Sequence, residues 1–333
     1  MRRLNKSFIF LILLILGIGG SFLLGLKYGN KNNSAAPEPP RESSPDIRQD
    51  SFGSNYKLIN PLLECNMIEN VSNKKINSIK SLVQTFIEES KSSLDFISVY
   101  FRDLNNGPWF GLNEKETFMP GSLLKVPLMF SVFKIAELNP EILKQRFFYD
   151  DKEQIPVSVY FKPEKEIEPG KFYVAGDLVE SMIKYSDNNA TYLLDQIVTQ
   201  KQFEDSYGDL GIEKPSGAQY QIPVKIYASF FRILYNATYL NKELSEKALD
   251  LLSQSTFNKG LRAGVPADII VAHKFGEKEI DDNNLKQLHD CGIIYYPKKP
   301  YILCVMTRGK NLDKLADVIK DISSLIYKEI DKE

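Results

Sequence analysis

The chain has 333 residues, 43% of them hydrophobic, with 20 Phe and 17 Tyr, enough apolar material for one large domain or two medium ones. Its formal net charge is −1 and it carries no run of Lys or Arg, which excludes a basic nucleic-acid-binding groove. Two histidines (His273, His289) and three cysteines (Cys65, Cys291, Cys304) occur without C-x-x-C or H-x-x-x-H spacing, so no zinc cluster is expected.

Phe8 to Leu26 is an almost unbroken apolar run behind Arg2, Arg3 and Lys6. About 20 such residues span a bilayer, and flanking positive charge stays cytoplasmic. A cleaved signal peptide is the competing reading, but no A-x-A site or lipobox cysteine follows. Residues 1–28 therefore read as a single-pass membrane anchor, with everything after Lys27 outside the cytoplasm. Residues 29–55, rich in Asn, Ser, Ala, Pro and Glu, cannot bury enough apolar surface to offset their ordering entropy and read as a flexible tether. The odd cysteine count is read as small buried residues, with no required disulfide.

The domain at 56–333 opens with a helical pattern, Ser72 to Lys91, that places Ile76, Ile79, Leu82, Val83, Phe86 and Ile87 on one face. A strand, Asp95 to Leu104, a turn at Asn105-Asn106-Gly107-Pro108, and a second strand, Trp109 to Leu112, come next. Pro120-Gly121 breaks the chain, and Ser122 opens an apolar helix to about Leu138, with Pro127 near its first turn. The middle, about 140–260, reads as a helical subdomain: Ala175 to Tyr185, Asn189 to Val198, Val224 to Tyr235 and Lys242 to Leu252. Strands return at Ile269 to Phe275, Cys291 to Tyr296 and Tyr301 to Thr307, and an amphipathic helix, Leu312 to Ile330, ends the chain. The predicted fold is α/β of the α+β type, an antiparallel sheet built from both ends of the domain, flanked by helices, with a site in the cleft beside the helical subdomain. Each histidine is read as structural and hydrogen-bonded.

Three triplets in order carry the chemistry: Ser122-Leu123-Leu124-Lys125, Ser186-Asp187-Asn188 and Lys274-Phe275-Gly276. A serine hydroxyl is a weak nucleophile at neutral pH, because its proton must leave as the oxygen attacks. Lysine three residues later on a helix shares its face, and burial beside other positive charge lowers its pKa until the amine can accept that proton. At the start of a helix, Ser122 also has a backbone N–H free to bind an anion.

In this set of motifs the chain resembles the class A β-lactamase-like serine hydrolases, from about Asn60 to the C-terminus. Tyr185 to Ala190, Gly260 to Pro266 and His289 to Tyr295 share the resemblance. It implies a β-lactamase/transpeptidase-like fold, with Ser122 as the acylated nucleophile and Lys125 as its proton acceptor or relay. Ser186 would shuttle a proton to the leaving nitrogen, Lys274 would attract a substrate carboxylate, and Asn188 would orient the substrate amide. Asp187 would be structural. The backbone N–H groups of Ser122 and Glu277, beyond Gly276, would form the oxyanion hole. No cofactor or metal is implied.

The sequence departs from that family at three places. No E-x-x-L-N stretch follows Asn188, and Leu210 to Pro223 is too short for the loop that carries a deacylating glutamate; Glu213 is the one carboxylate inside it, read as a solvated loop charge. Phe275 stands where the family has threonine, which removes a hydroxyl donor. Glu277 stands where a small residue is usual, and its charge would repel an anionic substrate if the side chain turns inward. The expected function is a membrane-anchored extracytoplasmic hydrolase that forms an acyl-enzyme on Ser122 with a β-lactam or related amide. A D,D-peptidase or penicillin-binding protein acting on peptidoglycan stem peptides is the alternative, and a non-catalytic cell-wall-binding module the second.

Overall fold

The computed structural model describes residues 56–61, 74–90, 95–105, 107–150, 152, 159–213, 220–280 and 284–332. The predicted anchor and tether, Cys65 and residues 214–219 lie outside them. Among the described residues no helix is long and apolar enough to cross a membrane.

Helix α1, Lys74–Ser90, buries Ile76, Ile79, Val83 and Ile87 at helical spacing, while Leu82, expected on that face, is exposed. Strands β1 (Phe96–Asp103) and β2 (Trp109–Leu112) form an antiparallel hairpin, and β3 is the short piece Thr117–Phe118. A 3₁₀ turn, Gly121–Leu124, runs into α2, Lys125–Leu138. Then come β4 (Arg146–Tyr149) and β5 (Lys171–Val174), an antiparallel hairpin inside the block predicted as helical. Helices α3 (Ala175–Lys184), α4 (Asn188–Asp195) and α5 (Gln200–Asp209) follow. Ile222–Pro223 (β6) pairs with β3 and leads into α6 (Val224–Asn236) and α7 (Lys242–Ser253). After the single turn α8 (Gly260–Ala263) come β7 (Val271–Ile280), β8 (Leu285–Ile294), β9 (Tyr301–Gly309) and the closing helix α9 (Leu312–Asp331).

The main sheet is antiparallel, in the order β2-β1-β9-β8-β7, so strands from both ends of the domain meet at β1 and β9 as predicted. Its two faces are read off the alternation of side chains. Val99, Phe101, Val271, Phe275, Leu303 and Val305 face the core with α1 and α9. Tyr100, Ala272, Cys291, Ile302, Cys304 and Met306 face the core built with α2, α3 and α6. β9 is buried on both faces, and its near-continuous apolar run, Tyr301 to Met306, is what a central strand requires.

Two expectations change. β7 and β8 extend beyond the predicted strands, so Gly276 and Glu277 are strand residues on the outer edge of the sheet; the charged residues Lys278, Glu279 and Lys286 had masked the extension by breaking its apolar pattern. The absence of a disulfide is also corrected. Cys291 and Cys304 are bonded, because the register puts them directly opposite each other on β8 and β9, both fully buried.

Candidate active site

The three triplets converge where the outer edge of β7, the Ser122 turn and the α3–α4 junction meet. Gly121 has φ +54°, and a Cβ there would lie 2.3 Å from the Glu277 carbonyl oxygen. Gly276 faces the same turn, where a Cβ would lie 2.5 Å from the Pro120 oxygen and 2.8 Å from the Leu123 nitrogen. Two glycines thus let backbone meet backbone. The closeness of the Glu277 carbonyl to Gly121 turns that residue's peptide groups away from β8 and toward the Ser122 turn, since N–H and C=O of one strand residue point to the same side.

Ser122 is the second residue of the 3₁₀ turn and half-buried, and its N–H belongs to a first turn, where helical donors have no internal acceptor. The predicted helix start therefore holds, tightened to 3₁₀ for one turn. Pro127, in the first turn of α2, gives up an N–H that the helix does not need. Tyr227, buried on α6, donates its hydroxyl to the Leu123 carbonyl at 2.9 Å and braces the turn. Nothing in the sequence singles Tyr227 out, because it lies on the ordinary apolar face of its helix.

Lys125, the first residue of α2, is buried. Its Nζ donates to the Ser186 carbonyl at 2.5 Å, to Asn188 Oδ1 at 2.7 Å and to Ser186 Oγ at 3.2 Å. Burial lowers its pKa to about 7, against the opposing pull of the Asp187, Glu166 and Glu277 carboxylates. Lys274 Nζ reaches the same hydroxyl from β7, at 2.8 Å, and donates to the Phe275 carbonyl at 2.9 Å. Lys274 is fully buried, and burial first, then the Lys125 charge, holds it well below the usual ammonium range. One hydroxyl thus joins two lysines.

Ser186 manages this through a left-handed backbone, φ +60°, which costs about 1–3 kcal/mol in a non-glycine residue. That conformation presents its carbonyl and its hydroxyl to Lys125 together. Asp187 holds the turn. As N-cap of α4 its carboxylate accepts from the N–H groups of Asn189 (2.8 Å) and Ala190 (3.2 Å), and its second oxygen accepts from Ile167 N–H at 2.8 Å. Burial raises its pKa despite these donors.

On the far side of Lys274, Phe275 packs away from the Ser122 turn and stacks on Phe257, with centroids 3.9 Å apart. Lys274 Nζ lies 4.3 Å from the Phe275 ring centre. The Glu277 carboxylate accepts from Tyr160 N–H at 2.7 Å and Phe161 N–H at 3.3 Å, fastening the 159–167 segment to the edge of β7. Burial raises the pKa of Glu277, and those two N–H groups oppose the rise. This fastening was not legible in the sequence, since Glu277 and Tyr160 are far apart in the chain and no pattern pairs them.

Glu213 is exposed, as expected of a solvated charge. The histidines take structural places. His273 Nδ1 is 2.8 Å from Asp290 Oδ1, and His289 Nε2 is 3.0 Å from the Met119 carbonyl, with burial pushing the pKa of His289 down to about 4. Among the described residues no group of His, Cys, Asp and Glu is placed to hold a metal ion.

Chemically, the arrangement offers a serine at a helix start, a buried amine able to take a proton near neutral pH, a hydroxyl relay between two lysines, and strand-edge backbone facing the serine. No curated protein sequence matches the chain. Among solved structures it is similar to a mutant of PBP-A in an acyl-enzyme complex with penicillin G, at 19% identity and TM-score 0.65, covering 78% of this chain and 98% of that one. It is also similar to TLA-3 extended-spectrum β-lactamase, at 17% identity and TM-score 0.69, covering 77% and 99%. A class A β-lactamase from Bacteroides cellulosilyticus gives 17% identity and TM-score 0.66, covering 78% and 99%. At these identities the likeness is one of fold. The model of the beta-lactamase enzyme family matches residues 78–330, well over half of the sequence. The chain therefore belongs to the beta-lactamase enzyme family and has the fold of the class A β-lactamase-like serine hydrolases.

Proposed function

We propose that this protein is an acyl-enzyme-forming serine hydrolase held at the outer face of a membrane by its N-terminal apolar run, with a β-lactam or related amide as acyl donor. The observation that carries the reading is the Ser186 hydroxyl held between Lys125 at 3.2 Å and Lys274 at 2.8 Å, with the pKa of Lys125 lowered to about 7. In the acylation step Ser122 Oγ attacks the amide carbonyl carbon, and the unprotonated Lys125 amine accepts the hydroxyl proton. The oxyanion forms against the N–H groups of Ser122 and Glu277. Collapse breaks the C–N bond, and the leaving nitrogen takes the Ser186 proton, which Lys125 replaces. The net change is one C–O bond made, one C–N bond broken and one proton moved from serine to nitrogen.

Deacylation needs a placed water and a second base, and the exposure of Glu213 favours a long-lived acyl-enzyme of the penicillin-binding kind. The test is intact mass over time after mixing the full-length protein with benzylpenicillin, alongside hydrolysis of the drug. A persistent adduct that Ser122→Ala abolishes is expected. Rapid turnover would replace this reading with that of a β-lactamase. Absence of both adduct and turnover with β-lactams and peptide esters would sink the acyl-transfer reading and leave a cell-wall-binding module.

A further inference from the structure

The helices around the site give the domain two different ends. α2 starts at the Ser122 turn and ends at Leu138. α6 runs the same way, since Tyr227 near its start braces that turn and the Tyr235 carbonyl near its end accepts from Asn60 N–H. α3 and α7 pack on each other and run toward the site. They finish side by side, where Thr256 N–H donates to the Lys184 carbonyl, two residues before Ser186. The starts of α3 and α7 therefore lie with the ends of α2 and α6, at the end of the domain opposite Ser122. Hydrogen bonds tie that end together: Glu137 accepts from Asn241 N–H, and the Gln145 carbonyl accepts from Ala175 N–H.

The chain enters the described domain at the same end. Glu246 on α7 accepts from the N–H groups of Lys57, Leu58 and Ile59 at 2.7 Å, 3.0 Å and 3.0 Å, and the Tyr56 hydroxyl donates to Glu243 at 2.5 Å. Residues 1–55, with the apolar run Phe8 to Leu26, thus lead into the end away from the serine. Here the surface is apolar. Leu138 is 90% exposed, Phe172 58% and Phe148 49%, three of the four most exposed large apolar side chains among the described residues. The two rings lie opposite each other on the outer face of the β4–β5 hairpin, whose base adjoins the start of α3, and the Arg146 guanidinium lies 5.0 Å from the Phe172 ring centre. Lys144 and Lys171 beside them pair with Glu141 and Glu168, so apolar contact rather than lipid charge is what this surface offers. Aromatic and aliphatic groups beside an arginine that can reach outward suit the boundary between lipid headgroups and acyl chains. Three side chains would hold a free domain weakly, but a tether such as 29–55 keeps it within roughly 30 Å of its anchor and raises its effective concentration at the bilayer.

We infer that the end bearing Leu138, Phe148 and Phe172 rests on the lipid bilayer and that Ser122 opens away from it. This rests on the membrane-anchor reading above and gives it an orientation. The 14 residues of α2 set the Ser122 turn about 20 Å from Leu138, so the acyl donor is taken from the aqueous side and not from the plane of the bilayer.

The test uses the full-length protein in phosphatidylcholine vesicles, with and without tail-brominated lipid, which quenches tryptophan inside the bilayer. The wild-type chain has one tryptophan, Trp109, and Lys225 in the first turn of α6 lies over it, at the Ser122 end. Its emission is expected to fall by less than about a tenth. Phe172→Trp, at an exposed position, adds an emitter on the apolar surface, and about a quarter or more of the total emission is expected to be quenched. Leu138→Glu with Phe148→Glu in that chain should return quenching to the wild-type level without lowering Tm. Quenching no greater with Phe172→Trp than in wild type, or indifferent to the two glutamates, would overturn the docking and leave the anchor standing. Wild-type protein that alkaline carbonate strips from the vesicles would overturn the anchor reading and this inference with it.

Discussion

Lys125 owes its chemistry to where α2 begins. Buried and facing three acceptors, it has a pKa of about 7, against about 10.4 for an exposed lysine. Below that value the amine already holds its third proton and cannot take one from Ser122. Acylation by benzylpenicillin is therefore expected to slow about tenfold per pH unit below roughly pH 6 and to level off above roughly pH 8. A flat profile from pH 5 to 9 would remove Lys125 as the base. Stability carries the same sign. Between about pH 7 and 10 the unfolded chain binds more protons at this residue than the folded one, so the Lys125 contribution to stability rises with pH. The urea midpoint of wild type relative to Lys125→Met should rise across that window. Gly121 makes a second prediction at this scale. Alanine there meets both a left-handed backbone and the Glu277 carbonyl, so Gly121→Ala should cost about 1–3 kcal/mol in unfolding experiments and slow acylation more than tenfold.

At the scale of elements, the outer edge of β7 supports the site on two sides. Its Gly276 face meets the Ser122 turn, and its Glu277 carboxylate ties down the segment that begins at Tyr160. Asp187 fastens the other end of that segment, at Ile167, while it caps α4. Asp187→Ala should cost about 0.5–2 kcal/mol from the cap alone and should raise amide exchange at Ile167, Asn189 and Ala190, measured by hydrogen exchange. Unchanged exchange there would show that the turn holds without its carboxylate. The motif residues were legible because each triplet keeps fixed local spacing, within one strand or across one helix start, and so were the helices with a clear apolar face, such as α1 and α6. What the sequence concealed depends on register or on distant partners. The Cys291–Cys304 bond follows from the pairing of β8 with β9, and the Glu277 tie from a fold that brings β7 to Tyr160. The β4–β5 hairpin was hidden because Phe148 and Phe172 are exposed and its strands bury little. α5 was hidden for a related reason: its mostly polar sequence has only Ser206 and Tyr207 buried, and the signal it does carry is the Thr199–Gln202 capping box.

For the molecule as a whole, the sheet couples the ends of the described domain. β1 lies between β2 and β9, and α1 and α9 share the core beneath them. Ile319, fully buried on α9 and remote from the Ser122 turn in the sequence, tests that coupling. Ile319→Ala should remove about 2–5 kcal/mol and lower Tm by roughly 5–15 °C, while the folded protein acylates at the wild-type rate. A loss of acylation without loss of Tm would contradict the separation of scaffold from site. The pairing of Phe96 with Arg308 and of Asp103 with Tyr301 has a further consequence, for the order of events during synthesis. The hairpin that begins the sheet leaves the ribosome well before the strand it must lie against, because most of the domain is made between them. Until β9 emerges, β1 exposes a row of unsatisfied peptide groups and an apolar face. Emergence of β9 therefore precedes closure of the sheet, and until then the growing polypeptide depends on whatever shields that open edge.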